Sequence, residues 1–130
     1  MLVPRKRTRK KRRDARQCSL HVKLPAQHIR AKFLVIYELD GAQRGVNYLT
    51  RYYRVAGLKL FLDGRRVPRK CCGVYFGNRA YFTRIGLKRG VVLHELYHHL
   101  VEAKGLEMPV RVEEKEANVY AREFLKVRPL

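Results

Sequence analysis

Val91-Val92-Leu93-His94-Glu95-Leu96-Tyr97-His98-His99-Leu100 is the stretch on which the reading of this chain turns. In an α-helix a four-residue step advances about 400°, so His94 and His98 stand one above the other on a single face with Glu95 beside them. Val91, Val92, Leu93, Leu96, Tyr97 and Leu100 surround them with uncharged side chains, which marks a buried helix. Ionisable groups inside such a helix need a compensating partner. Two neutral imidazoles suit zinc, and the adjacent carboxylate is placed to take a proton from a water that the metal has made acidic. The competing reading is a core helix whose histidines are satisfied by hydrogen bonds alone. His99 lies about 100° from His98 and reads as a bystander to the metal or a caged surface histidine.

A catalytic zinc takes three protein ligands and keeps one position open, so a third donor has to come from elsewhere. Downstream of Pro109, Val112-Glu113-Glu114-Lys115-Glu116-Ala117-Asn118-Val119-Tyr120-Ala121-Arg122-Glu123-Phe124-Leu125 is periodic as a helix, with Ala117, Tyr120, Ala121, Phe124 and Leu125 as its apolar stripe. With about 100° per residue and Ala117 at zero, the stripe centres near 10°, Glu113 falls at about −40°, Glu114 at about +60° and Glu116 at about −100°. Glu116 is therefore expected to point away from the core. Glu114 is chosen as the ligand, with Glu113 and Glu116 as alternatives. Asn118, one turn beyond Glu114, is placed to hold a ligand histidine in one tautomer. An acidic first turn complementing the helix dipole would account for any one of these glutamates without a metal.

Working outward, Cys72 to Phe76 and Arg79 to Thr83 are β-rich runs joined by Gly77-Asn78, a two-residue connection of the primed-turn type. Leu58-Lys59-Leu60-Phe61-Leu62 reads as a third strand ending at Asp63-Gly64, followed by the basic loop Arg65 to Lys70. The histidine helix is expected to start near Leu87 to Gly90 and to stop around Ala103 or Lys104, before Gly105. Further upstream, Ile29, Phe33, Ile36 and Tyr37 predict a helix over 26–39 with a stop at Asp40-Gly41, while β-branched Val35 and Ile36 leave a strand open. Val46, Leu49, Tyr52, Tyr53 and Ala56 predict another over 42–55, closed by Gly57. Tyr52 and Tyr53 sit among arginines and can stack on nucleobases, but the inner face of a helix is their expected place. Cys18 to Leu24 is either a short strand or an irregular lead-in. The expected class is α+β: a three-stranded, mostly antiparallel sheet with the histidine and glutamate helices, preceded by one or two helices.

The 130 residues carry a formal net charge of +19, spread over both halves of the chain. Residues 1–16 hold nine Lys or Arg against one Asp, net +8. Arg5, Lys6, Arg7, Arg9, Lys10, Lys11, Arg12 and Arg13 form a self-repelling run, expected to be a disordered arm over 1–17 ahead of a single domain over 18–130. Such an arm contacts the phosphates of nucleic acid or an anionic membrane, or merely aids solubility, and it carries no sequence recognition. The cysteines, Cys18, Cys71 and Cys72, are odd in number and lack Cys-x-x-Cys spacing, so neither a disulfide framework nor a zinc ribbon is signalled. Charges begin directly after Met1-Leu2-Val3-Pro4, and no run approaches membrane-spanning length. A cytoplasmic protein without a cleaved leader or transmembrane segment is expected.

His94-Glu95-Leu96-Tyr97-His98 followed by Glu114-Lys115-Glu116-Ala117-Asn118-Val119-Tyr120-Ala121 resembles the gluzincin metallopeptidases. The likeness is strongest to the ImmA/IrrE-type group and the small minigluzincins, and it covers about Leu58 to Leu125. It implies a small zincin-like fold with an active-site helix and a glutamate helix. It also implies Zn²⁺ on His94, His98 and Glu114, Glu95 as general base, and a peptide or protein substrate. The family's orienting Asp is here Asn118. The resemblance further implies that Arg79 to Arg84 forms the upper rim of the cleft, an edge with which an extended peptide pairs. Latency is open to so small a site if Cys71 or Cys72 fills the fourth position, although a buried structural thiol is the expected role. The alternative function is a nucleic-acid-binding or regulatory protein whose zinc site is structural or latent.

Overall fold

A computed structural model of the chain describes residues 20–127. Helix α1 (Gln27–Asp40) stops at Gly41, whose φ of 97° requires a residue without Cβ, and α2 (Ala42–Tyr53) begins at once. One residue thus makes the joint of a helical hairpin. Helix α2 ends not at Gly57 but at Arg54, which adopts the left-handed conformation with φ 60°. Val55 N donates to Thr50 O at 3.0 Å and Arg54 N to Arg51 O at 3.1 Å. These bonds satisfy end carbonyls and offset the steric cost of a non-glycine residue there.

The three strands are β1 (Lys59–Leu62), β2 (Gly73–Phe76) and β3 (Arg79–Phe82), with a 3₁₀ turn at Gly64–Arg66. Gly77 and Asn78 both have positive φ, 50° and 65°, as the primed turn between β2 and β3 demands. The sheet order is β1-β3-β2, with β1 parallel and β2 antiparallel to β3. The expected mostly antiparallel sheet is therefore half parallel, because the connection after β1 returns the chain to the far edge before the hairpin fills the centre. Ala80 and Phe82 face the core, while Tyr81 on the other face is covered by a stacked Phe61 ring and the Arg66 guanidinium. Gln43 reaches the outer edge of β1, donating to Leu58 O at 2.9 Å and accepting from Leu60 N at 2.8 Å. Among the described residues no strand pairs with the outer edge of β2.

Helix α3 (Arg89–Ala103) is buried almost all round, consistent with its apolar flanks, and packs against β2, α2 and α4 (Val110–Phe124). Val46, Leu49, Phe82, Leu93, Leu96, Tyr97, Tyr120 and Phe124 belong to one continuous core. Phe33 of α1 meets Phe124 edge to face with centroids 5.2 Å apart. Arg30 donates to the carbonyls of Glu123 and Phe124, a cation at the negative end of α4. Residues 20–26 form an irregular lead-in rather than a strand and cross the back of α3 and α4, where Val22 N donates to Tyr97 Oη at 3.2 Å. Tyr53 is tied to Lys23 O and Tyr120 Oη, but Tyr52 stays 44 % exposed, so only one of that pair joins the interior. No described helix is long and apolar enough to cross a membrane. Cys18, the basic run Arg5 to Arg13 and the proposed boundary at 17/18 lie outside the described residues.

Candidate metal centre

Antiparallel packing of α3 and α4 brings His94, His98 and Glu114 together, with one donor atom of each within 4.8 Å of the others. His98 Nε2 lies 2.8 Å from Glu114 Oε2 and 3.3 Å from His94 Nε2, and His94 Nε2 lies 3.1 Å from Glu114 Oε1. The outer nitrogen of His98 is taken by Glu113, Nδ1 to Oε2 at 2.6 Å. That contact leaves Nε2 as the ring nitrogen turned toward the centre. Burial holds His94 below the ordinary histidine range, against the charge of Glu114, which favours its protonation, and with His98 adding to the fall; Asn118 of α4 lines the same cleft as His94. Two imidazoles whose nitrogens face each other at 3.3 Å, with a carboxylate across from both, form a donor set that fits a divalent cation.

Glu95 lies beside this set, 6 % exposed, and lines the same cleft. Burial pushes its carboxyl up to about 7, with His98 pulling the other way and Glu114 adding to the rise. A carboxylate tuned near neutrality, beside two imidazoles and a second carboxylate on a cleft wall, has the properties of a general base.

Glu113, an alternative ligand from the sequence, instead grips the back of His98. Glu116 corrects the expectation more sharply. It does not point into solvent but is 4 % exposed, accepting from His21 N at 3.1 Å, from the His21 ring at 2.7 Å and from Tyr97 Oη at 2.5 Å. The lead-in strap supplies the two His21 partners from 95 residues away, and α3 supplies Tyr97, so helical phase alone had no access to them. His99 is fully buried rather than at the surface, with Nε2 against Ala56 O at 2.6 Å and Nδ1 against Tyr75 Oη at 3.1 Å, and it takes no part in the donor set. Tyr75 also donates to Glu102, and burial with that neighbour raises its hydroxyl to about 12. Periodicity gave no signal for this Tyr75, His99 and Glu102 cluster. Cys71 and Cys72, expected buried, are both exposed and stand on the cleft wall because β2 begins only at Gly73.

The expected rim strand is also corrected. Residues 79–82 form the central strand, bonded on both sides, and the strand that lines the cleft with an open edge is β2. No protein-family model matches the chain, and comparison with curated proteins and with solved structures gives no match.

Proposed function

We propose that this chain is a zinc-dependent peptidase of the gluzincin kind, with His94, His98 and Glu114 as metal ligands and Glu95 as general base. The observation that carries the reading is the convergence of two histidines from α3 and one glutamate from α4 beside a buried carboxylate in a cleft. A zinc ion held there would supply Lewis acidity, making water acidic near neutrality and polarising a substrate carbonyl. Glu95 takes the proton of the attacking water and passes it to the departing amine nitrogen. Glu113 holds the His98 ring from behind, with Nε2 facing inward. The open edge of β2 offers main-chain N–H and C=O groups to an extended peptide, which would lie across the face where Glu95 waits.

The test is zinc content and peptide turnover of the intact chain beside His94→Ala, Glu114→Ala and Glu95→Gln. The first two are expected to lose zinc. The third is expected to keep zinc and fold while losing turnover by at least about a hundredfold, the lower end for a general base. Full zinc retention in both ligand variants, or undiminished turnover in Glu95→Gln, would remove the reading.

A further inference from the structure

The cleft is electrically lopsided. At the end where β1 and β3 finish and β2 starts, two loops, 63–72 and 83–88, are bonded into one surface. Thr83 N donates to Cys72 O at 3.1 Å, Gly86 N to Thr83 O at 3.1 Å, and Cys71 N closes a turn on Pro68 O at 3.0 Å. Gly64 packs against Thr83. Gly86 lies so close to the Cys72 carbonyl that no side chain fits between the loops. These loops present Arg69, Lys70, Arg84 and Lys88 to solvent, and Arg122 of α4 joins Lys88 on the cleft wall. Within 63–88 the only acidic residue is Asp63, and its carboxylate is engaged by Arg65 and Arg66 of its own turn. The N-terminus of α3 opens onto the same surface, with no acidic residue in its first turn and no side-chain cap. The opposite end of the cleft is lined by Glu102 and Glu113.

We propose that this cationic end recognises an acidic run in the polypeptide substrate, so that the preferred substrates carry Asp or Glu residues a few positions to one side of the scissile bond. This rests on the peptidase reading above. A chain paired with the β2 edge and crossing His94 must leave the cleft past Cys72 and Lys88, over Arg69 and Lys70. Carboxylate side chains there meet several exposed cations and a helix dipole of the same sign, whereas basic side chains are repelled. Continuity of the charged surface with the cleft that holds His94, His98 and Glu95, and with the open edge of β2, favours a polypeptide over a nucleic acid.

The experiment uses the full chain loaded with zinc and fluorogenic peptides of one neutral core, bearing four glutamates on one side, four on the other, or four lysines in the same places. One Glu-tailed peptide is expected to exceed the neutral peptide in kcat/KM by about tenfold at low salt, the advantage collapsing at high salt. The triple variant Arg69→Glu, Lys70→Glu, Arg84→Glu is expected to invert the preference toward a Lys-tailed peptide. A Glu95→Gln protein, read by fluorescence anisotropy, is expected to bind the Glu-tailed peptide more tightly than the neutral one, and the added triple substitution to abolish the difference. Cleavage without charge preference overturns the acidic-run proposal and leaves the peptidase standing. Selective binding without cleavage of any peptide supports the surface and sinks the peptidase. Displacement of the Glu-tailed peptide by a DNA or RNA oligonucleotide of equal charge at lower concentration than by polyglutamate overturns the proposal in favour of a nucleic-acid surface.

Discussion

Glu113 offers the most direct probe of how the site is held. Its carboxylate sits 2.6 Å from His98 Nδ1, with the glutamate side chain 24 % exposed and the imidazole 10 %. A charge-assisted bond in that setting fixes the ring and strengthens Nε2 as a donor toward a metal. Loss of such an outer partner costs about 10- to 100-fold in metal affinity, or about 1.4 to 2.8 kcal/mol. The shielding of Glu113 places Glu113→Ala at about thirtyfold, near 2 kcal/mol, whereas Glu113→Gln keeps an acceptor and falls between. The amide of Asn118 is uncharged and exposed, so Asn118→Ala is expected to cost only about threefold. His99→Ala, remote from the donor set, should leave affinity unchanged. Zinc affinities at pH 7, measured by competition with a chromophoric chelator, give this ranking directly, and thermal melting of the metal-free proteins separates misfolding from lost orientation. Affinities within twofold of the intact chain for both Glu113 variants, with melting unchanged, would refute the orienting role.

Other consequences concern charge, strap and backbone. In the metal-free protein burial keeps the Glu95 proton in place up to about pH 7, against about 4.5 for an ordinary glutamate, so the folded state holds more protons than the unfolded between these limits. Its contribution to stability must fall as pH rises from about 4.5 to about 7, by up to about 3 kcal/mol, and then level off. Urea titrations should show this slope for the intact chain and not for Glu95→Gln; equal slopes contradict the burial of the carboxyl. Glu116→Ala strands the Tyr97 hydroxyl and the His21 N–H, and a loss of about 2 to 4 kcal/mol is expected from urea unfolding, a change under about 0.5 kcal/mol being incompatible with the buried network. Gly86→Ala would set a methyl 2.7 Å from Cys72 Cβ and against its carbonyl, so the variant should lose its cooperative melt or fall by more than 10 °C; Gly57→Ala, with nothing within 4 Å, should melt like the intact chain.

Much of this architecture was legible one segment at a time. The Gly77-Asn78 pair placed the hairpin because both residues tolerate positive φ, and the apolar flanks of His94 and His98 announced a buried helix. Phase along α4 left Glu113 and Glu114 flanking the apolar stripe, and the Asn118 spacing singled out Glu114, the carboxylate that lies against both histidines. The same arithmetic sent Glu116 the wrong way: a carboxylate off the stripe is exposed only if nothing else covers it, and the strap at His21 and Val22 does.

Local periodicity thus determined which residues lie in helices and strands, and which side chains share a face, because those depend on neighbours three or four places away. Tertiary structure alone decided that β3 is central and β2 open, that Glu113 serves His98 from behind, that His99 is sealed between Ala56 and Tyr75, and that Cys71 and Cys72 line a cleft. Each of these depends on partners from 15 to more than 40 positions distant, or on the order in which strands are laid down. Such contacts are set by packing of whole elements around the shared core, which no local pattern encodes.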